Sequence, residues 1–527
     1  MFSSQLQPIP VDVSSIGQTN RPHSEQEQLY IRNVLLAAEF LLQSGSVNGD
    51  LRRREETVDL IGRCNIALAP HKRLPPDVLQ SIFHFCGTRV QFPLKSKQGQ
   101  DLRLLHITHV CFAWRQLALE MPALWSKISI YLSEGDWKQH DRTLSAARQW
   151  FDRAQDMRRS LSTFFNGFAS GIQHVYVSPH LHGLWEKLLE FMALYRLEEL
   201  DVHYPINRVA LKLPNHVWPS IRRLNLEDDG HCPGEQQLFS NFGKLSNLRH
   251  LKVIDSLHLD GIDQIAPWHQ LRTFEVWGLT GCSIAPSSCL NVLRQSRLLE
   301  RCHIKLSQES SFTSTEEKIV LTNMDYFEVG FLGGLEVPMF LRPLVMPNIV
   351  TFSLSVAIAS MDLSCDMPAL LGIIQRSGGM RRIRRLHIGP SSAVLDVGIL
   401  LELLPSLDSI SIRSGHLTDN TMELLSSGKL GPRLCDIELK FPHNADKILS
   451  MVESRYQNAT RSPDSEQNED PPCPLKSIII PCTAVNSPES YECRIEILSS
   501  MCNAYIQLYI AQESSEDEDS EDEDDED

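Results

Sequence analysis

The residues of this 527-residue chain best suited to chemistry are suited to gripping a partner rather than transforming one. Trp277, Arg301, His303, Lys305, Tyr326, Arg385 and His387 occupy equivalent places in a recurring pattern that would project them from one face. Trp, Tyr and Arg are the residue types that most often carry binding energy, so the set is a candidate target-binding surface. The same residues also fit an ordinary solvated face with Trp277 half-buried at a turn. Motifs for covalent or phosphate chemistry are missing: there is no Gly-x-x-x-x-Gly-Lys-Ser/Thr, no His-Glu-x-x-His and no Gly-x-Ser-x-Gly. The 19 histidines are spread singly, and the 13 cysteines never form a Cys-x-x-Cys pair. That argues against a zinc site and a disulfide framework. The expectation is a protein that is not an enzyme, with no catalytic, cofactor-binding or metal-ligating residue and no cofactor.

The elements that must position those residues follow from an apolar pattern at i, i+3 and i+5. It runs through Ile172/Val175/Val177, Leu197/Leu200/Val202, Ile221/Leu224/Leu226, Leu248/Leu251/Val253, Leu271/Phe274/Val276 and Leu299/Cys302/Ile304. It continues through Met324/Phe327/Val329, Ile349/Phe352/Leu354, Ile383/Leu386/Ile388, Leu407/Ile410/Ile412, Leu434/Ile437/Leu439 and Leu475/Ile478/Ile480, with Trp125/Ile128/Ile130 a possible earlier member. Most steps are 23 to 28 residues, which matches the Leu-x-x-Leu-x-Leu core and period of a leucine-rich repeat. Alternate residues of a short strand point inward, and one unit cannot bury its apolar face alone, so neighbours stack. Positions i+2, i+4 and i+6 then face the open, concave side. Helices are expected between strands at Trp185–Leu194, Ser288–Leu293, Met367–Ile374, Val397–Leu403, Thr421–Leu425 and Ile448–Val452. The asparagine expected shortly after each strand is mostly replaced, by Ser256, Leu279 and Gly415 for example.

Ahead of the repeats, residues 25–43 and 51–68 have helical periodicity and form a lead-in, 25–72, after a disordered stretch 1–24. Pro75-Pro76 then makes a good helix start, because proline lacks an N–H that a first turn cannot pair. Val78, Leu79, Ile82 and Phe83 follow as an apolar stripe, which resumes at Leu102, Leu105, Val110, Cys111, Trp114, Leu117 and Ala118. The three blocks Leu74-Pro75-Pro76-Asp77-Val78-Leu79 with Ile82-Phe83, Val110 to Arg115 with Leu117-Ala118, and Pro122-Ala123-Leu124-Trp125 resemble an F-box. They are most similar to the F-box-like units of mushroom-forming fungi. The connection Phe85–Asp101 is longer than in a minimal F-box. The resemblance implies that Leu74, Pro75, Pro76, Val78, Leu79, Ile82 and Trp125 contact a Skp-type adaptor, and through it a cullin.

The expected architecture is therefore α/β: an N-terminal helical F-box-like module at 73–131, then a curved leucine-rich-repeat solenoid at 132–510 with one continuous parallel sheet. A Ser-, Pro- and acid-rich exposed insertion is expected at 454–474, and an acidic disordered tail at 511–527. Residues 513–527 carry twelve acids and no base, and without them the net charge of −16 falls to −4. No direct nucleic-acid surface is implied. Ser514, Ser515 and Ser520 each precede an acid by three residues, which suits an acid-preferring kinase. No stretch approaches the roughly 20 apolar residues of a membrane span, and residues 1–24 lack a signal-peptide pattern. The expectation is an intracellular protein, cytoplasmic and/or nuclear, without a membrane partner. The favoured function is substrate recognition in an SCF-type ubiquitin ligase with an unknown protein target. The alternatives are a nuclear leucine-rich-repeat protein whose acidic tail binds basic partners such as histones, and an F-box-like scaffold outside ubiquitination.

Overall fold

A computed structural model describes residues 13, 16, 23–46, 50–70, 74–87, 89–93, 103–133, 137–166, 179–203, 213–227, 242–254, 263, 267–277, 283–307, 312, 317–332, 337–356, 365, 367–391, 393–439, 443–460, 472–482 and 488–510. The chain divides into two compact units. The first comprises Met1–His203 with Lys212–Val217, and the second Tyr204–Leu211 with Trp218–Asp527.

The first unit opens with a helical hairpin, α1 (Glu25–Gln43) and α2 (Leu51–Ala67). Ser24 and Glu27 close a capping box at the start of α1, and Asp50 caps α2. Ile31, Cys64 and Ala67 form the hairpin core, and Ile16 from the lead-in is buried with them. Next, α3 (Pro76–Cys86) has Pro76 in its first turn and buries Leu79 and Phe83. Phe83 meets Trp114 of the later helix Phe112–Leu119 edge-on, with ring centroids 5.2 Å apart. Between them lie β1 (Val90–Phe92) and α4 (Arg103–Val110), so Phe112–Leu119 is α5. A 3-10 turn, Pro122–Trp125, leads into β2 (Lys127–Ser133), followed by α6 (Trp137–Arg153), β3 (Arg159–Asn166), α7 (Pro179–Ala193) and β4 (Leu197–His203). The strands β1-β2-β3-β4 pair in parallel in chain order.

In the second unit β5 (Arg223–Glu227), β6 (His250–Ile254) and β7 (Thr273–Trp277) precede α8 (Pro286–Gln295) and β8 (Arg301–Leu306). The chain continues as β9 (Ile319–Val320), β10 (Tyr326–Phe331), α9 (Val337–Leu341), β11 (Leu344–Val345), β12 (Thr351–Val356), α10 (Met367–Arg376) and β13 (Arg385–Ile388). Then come β14 (Leu395–Asp396), α11 (Val397–Leu403), β15 (Ser409–Ile412), β16 (Gly415–His416), α12 (Asp419–Ser427), β17 (Asp436–Leu439), α13 (Ala445–Thr460), β18 (Ser477–Cys482), α14 (Pro488–Cys502) and β19 (Tyr505–Ile510). Eleven of these strands form a parallel ribbon in the order β5-β6-β7-β8-β10-β12-β13-β15-β17-β18-β19, while β9 pairs with β11 and β14 with β16. All six helices expected from the sequence are present. The result is a mixed α/β, solenoid-like fold.

The i, i+3, i+5 pattern is the core. From Leu197 to Ile480 the eleven triplets are buried, and their most exposed member, Leu386, is only 4% exposed. Each large side chain contributes roughly 1.5–3 kcal/mol on burial. The backbone closes each unit in two ways. The first triplet residue donates its amide three residues back, as Leu248 does to Leu245, Leu271 to Trp268 and Ile383 to Met380, at 2.9–3.1 Å. The next residue's carbonyl then accepts two amides from the following unit: Arg222 from Arg249 and His250, Arg249 from Arg272 and Thr273, Arg272 from Glu300 and Arg301. This relay of paired bonds, each 2.7–3.2 Å long, runs on through Glu300, Asp325, Val350, Arg384, Asp408 and Cys435. The repeat asparagine, expected after the strand, instead stands before it in three units. Asn247, Asn323 and Asn348 donate to the carbonyls of Pro219, Arg297 and Thr322 in the preceding turn, at 2.7–3.0 Å. Where Gly415 replaces it, a Cβ would lie 2.9 Å from a Leu439 methyl and 3.0 Å from Val397 and Ile412, so a side chain has no room.

Several expectations are displaced. The triplet Ile172/Val175/Val177 lies outside the described residues; ahead of it β3, which the pattern did not mark, buries Leu161 beside Ser160, Ser162 and Thr163. The parallel pairing begins earlier than residue 132, because β1 and β2 belong to it. Residues 454–460, expected at the start of an exposed insertion, are instead the last turns of α13. Residues 461–471, residues 511–527 and most of 1–22 lie outside the described residues.

Arg455 explains why α13 extends so far. It is completely buried, and its guanidinium donates to the carbonyls of Leu425 (2.8 Å), Gly431 (2.7 Å), Leu434 (3.2 Å) and Cys473 (2.9 Å). Burial lowers its pKa to about 10. It caps the C-terminal end of α12 and gathers the turn that starts β17. Arg455→Met should strand several buried carbonyls and lower the unfolding free energy by about 3 kcal/mol or more. Urea denaturation followed by circular dichroism measures this; a loss under about 1 kcal/mol would contradict the capping role.

Candidate binding surfaces

Because successive strand residues alternate, sealing Phe274, Val276, Cys302, Ile304, Phe327 and Val329 inward leaves Glu275, Trp277, Arg301, His303, Lys305, Tyr326 and Glu328 in rows on the other face. The register aligns them: Glu275 and Glu328 both sit opposite His303, Tyr326 opposite Arg301, and Gly330 opposite Lys305. Trp277 stacks on His303 with centroids 3.7 Å apart and planes 8° from parallel, while the Lys252 ammonium lies 5.3 Å from the Trp277 ring. The Arg301 guanidinium lies 4.6 Å from the Tyr326 ring. Carboxylates tie the rings down: the Trp277 indole N–H donates to Glu275 at 3.0 Å, His303 Nδ1 is 2.9 Å from Glu328, and the Tyr326 hydroxyl donates to the same Glu328 carboxylate. Trp277 is 39% exposed.

Trp277, Arg301, His303, Lys305 and Tyr326, expected together, are thus contiguous across β7, β8 and β10. Arg385 and His387 share their rows but lie farther along: Arg385 pairs with Thr351, which pairs with Tyr326, and His387 reaches Glu328 through Ser353. His387 also bonds Ser411, which donates to Glu438, both near 2.9 Å. Lys252 was not singled out from the sequence; Glu275 and Glu328 fall at open-face positions of the pattern but were not placed in the target-binding set, and they hold the rings. Sequence reasoning missed a second row on the first unit, where Tyr131, Phe164 and His203 stack across β2, β3 and β4 with centroids 4.5 and 4.1 Å apart. Beside that row Arg89, Ser160, Ser162, Glu199 and Asp201 form a half-buried polar network. The alternation of serine with apolar residues in β3 was the signal.

The residues expected to meet an adaptor divide by burial. Pro75, Pro76, Val78 (41% exposed) and Ile82 (36%) are exposed and Leu74 is half-buried. Leu79 and Trp125 are 5% and 2% exposed, which corrects their place in the docking set. Leu79 faces the α3–α5 core. Trp125 donates its indole N–H to the Ala118 carbonyl at 2.8 Å, packs on Trp150 at 4.5 Å, and is covered by Arg153. Phe85, 86% exposed, extends the outward stripe Val78–Ile82–Phe85 and was not expected there.

Among the described residues no group of three His, Cys, Asp or Glu is placed to hold a metal, and no helix is long and apolar enough to cross a membrane. The cysteines whose side chains are described are free thiols. No protein-family model matches the chain, and no curated protein matches it significantly.

Burial pushes the Glu328 carboxyl up, but hydrogen bonds from His303 and Tyr326 and the positive fields of His303 and His387 outweigh it and hold the group below its ordinary 4.5. A carboxyl with a depressed folded pKa stabilises the fold above its unfolded value and loses that contribution as pH falls through the folded one. The melting-temperature gap between wild type and Glu328→Gln should therefore be full at about pH 5 and shrink below 4.5. A gap that stays constant from about pH 5 to 3 in calorimetry would refute this coupling.

Proposed function

We propose that this chain is the substrate-recognition adaptor of an SCF-type ubiquitin ligase. In this reading the helical block from Leu74 to Trp125 is an F-box-like unit of the fungal type that docks a Skp-type adaptor and, through it, a cullin. The second unit's ribbon is a leucine-rich-repeat solenoid that holds the protein target on its open face. The work takes place in the cytoplasm and/or nucleus. The observation that carries the reading is the second apolar stripe of α3. Leu79 and Phe83 already fill the inner side, yet Val78, Ile82 and Phe85 lie outward beside exposed Pro75 and Pro76. Contiguous exposed apolar residues mark interaction sites, and of these Pro75, Pro76, Val78 and Ile82 are positions the F-box resemblance assigns to the adaptor, with Phe85 added by the structure.

The target side rests on the Trp277–His303 stack with Arg301 and Tyr326. Their geometry is fixed before binding by Glu275 and Glu328, so little side-chain freedom remains to be lost. The chain supplies no transfer chemistry in this account; it brings the target close to partner enzymes.

A pull-down with a Skp-type adaptor tests the docking face. Val78→Glu/Ile82→Glu, at exposed positions that leave the core intact, should cut adaptor recovery at least about ten-fold, as expected when charges enter an apolar interface. Equal recovery from variant and wild type, with unchanged thermal melting, would overturn the docking assignment.

A further inference from the structure

The strand-start edge of the second unit's ribbon is uneven in charge. Before β13 the chain reads Arg381-Arg382-Ile383-Arg384-Arg385. Ile383 is buried, so it turns inward and the arginines gather at the edge around it. Arg384 bonds Asp408 at 3.0 Å, and Arg433 approaches the same carboxylate at 3.6 Å. Arg381, Arg382 and Arg385 are exposed and make no ion pair among the described residues. With Arg384, Arg433 and Lys476 they set six cations against the three carboxylates of Asp325, Asp408 and Asp436 along this part of the edge. Such an excess seeks a polyanion.

The chain carries one of its own. Residues 513–527 hold twelve carboxylates and no base, and residues 521–527 are acids without interruption. The segment can reach. From β19 to β13 there are four strand spacings, about 19 Å at about 4.8 Å each, and the strand-start edge lies about 20 Å back along β19, a diagonal of about 28 Å. Residues 511–527 span at most roughly 56–61 Å. About half would bridge the gap and leave the uninterrupted acids over the arginines. The arginines at the starts of β5 to β7 lie at least eight spacings away, roughly 38 Å along the ribbon alone, which leaves few acids to bind.

We propose that the acidic C-terminal segment Glu513–Asp527 docks on the arginine edge at the start of β13 and covers Arg381, Arg382 and Arg385. The docking itself does not depend on the adaptor reading.

Arginine footprinting with phenylglyoxal on the full chain, read residue by residue by mass spectrometry, tests this. The comparison is a full-length variant with Glu521→Gln, Asp522→Asn, Glu523→Gln, Asp524→Asn, Asp525→Asn, Glu526→Gln and Asp527→Asn. A tether gives roughly millimolar effective concentration, and docking for about two-thirds of the time would slow labelling about three-fold. Labelling of Arg381, Arg382 and Arg385 should therefore rise by about that factor in the neutralised variant, while Arg249 and Arg297 stay unchanged and report an intact fold. In about 1 M salt, where the screening length is about 3 Å, wild type should label like the variant. A peptide of residues 511–527 added to the variant at low salt should restore protection. Equal labelling of the three arginines in wild type and variant at low salt, or a change at Arg249 and Arg297 of the same size, would overturn the proposal.

Discussion

The second unit depends on one backbone arrangement: a carbonyl just before each strand that accepts two amides from the start of the next unit. From Arg222 to Cys435 this relay passes through nine such carbonyls among the described residues. It fixes where each strand begins relative to its neighbour, so the register cannot slip without breaking both bonds. A slip of one residue would turn every buried side chain outward. The relay therefore aligns the triplets into a sealed interior and lines up the residues between them in rows.

Those rows allow distant sequence positions to cooperate. Trp277, His303 and Glu328 are about 25 residues apart in succession, yet Trp277 stacks on His303, and His303 lies 2.9 Å from Glu328, its register partner in the adjoining strand. No single repeat among the described residues holds the whole candidate surface. The surface is a property of neighbouring repeats: Glu275 and Glu328 hold Trp277 and Tyr326 within their own strands, and Glu328 also meets His303 of the adjoining strand. In the first unit the same logic produces the Tyr131–Phe164–His203 row. Each surface is laid down by parallel strands.

The repeat pattern was legible in the sequence because leucine-class residues at i, i+3 and i+5 are both necessary and conspicuous. Eleven of the twelve triplets identified fall in the core. Strands that bury polar or short segments were not legible. β3 carries Ser160, Ser162 and Thr163 inside or beside a polar network, β1 has only three residues, and β19 begins after Asn503, whose positive φ takes the place of the apolar turn residue. Burial of Trp125 depends on Trp150 and Arg153, residues of a helix outside the F-box-like block, so the block alone could not reveal it. Arg455 was hidden for the same reason: its partners are carbonyls 18 to 30 residues away, and an arginine in a polar stretch reads as surface until those carbonyls are seen to converge on it.

The relay is tested most directly by native-state hydrogen exchange at the paired amides: Arg249 with His250, Arg272 with Thr273, and Asp408 with Ser409. The account predicts that both members of each pair are strongly protected and exchange together with their strand, as one cooperative block. If these amides exchanged at the rates of an unstructured peptide while the strand interiors stayed protected, the relay would not be what sets the register.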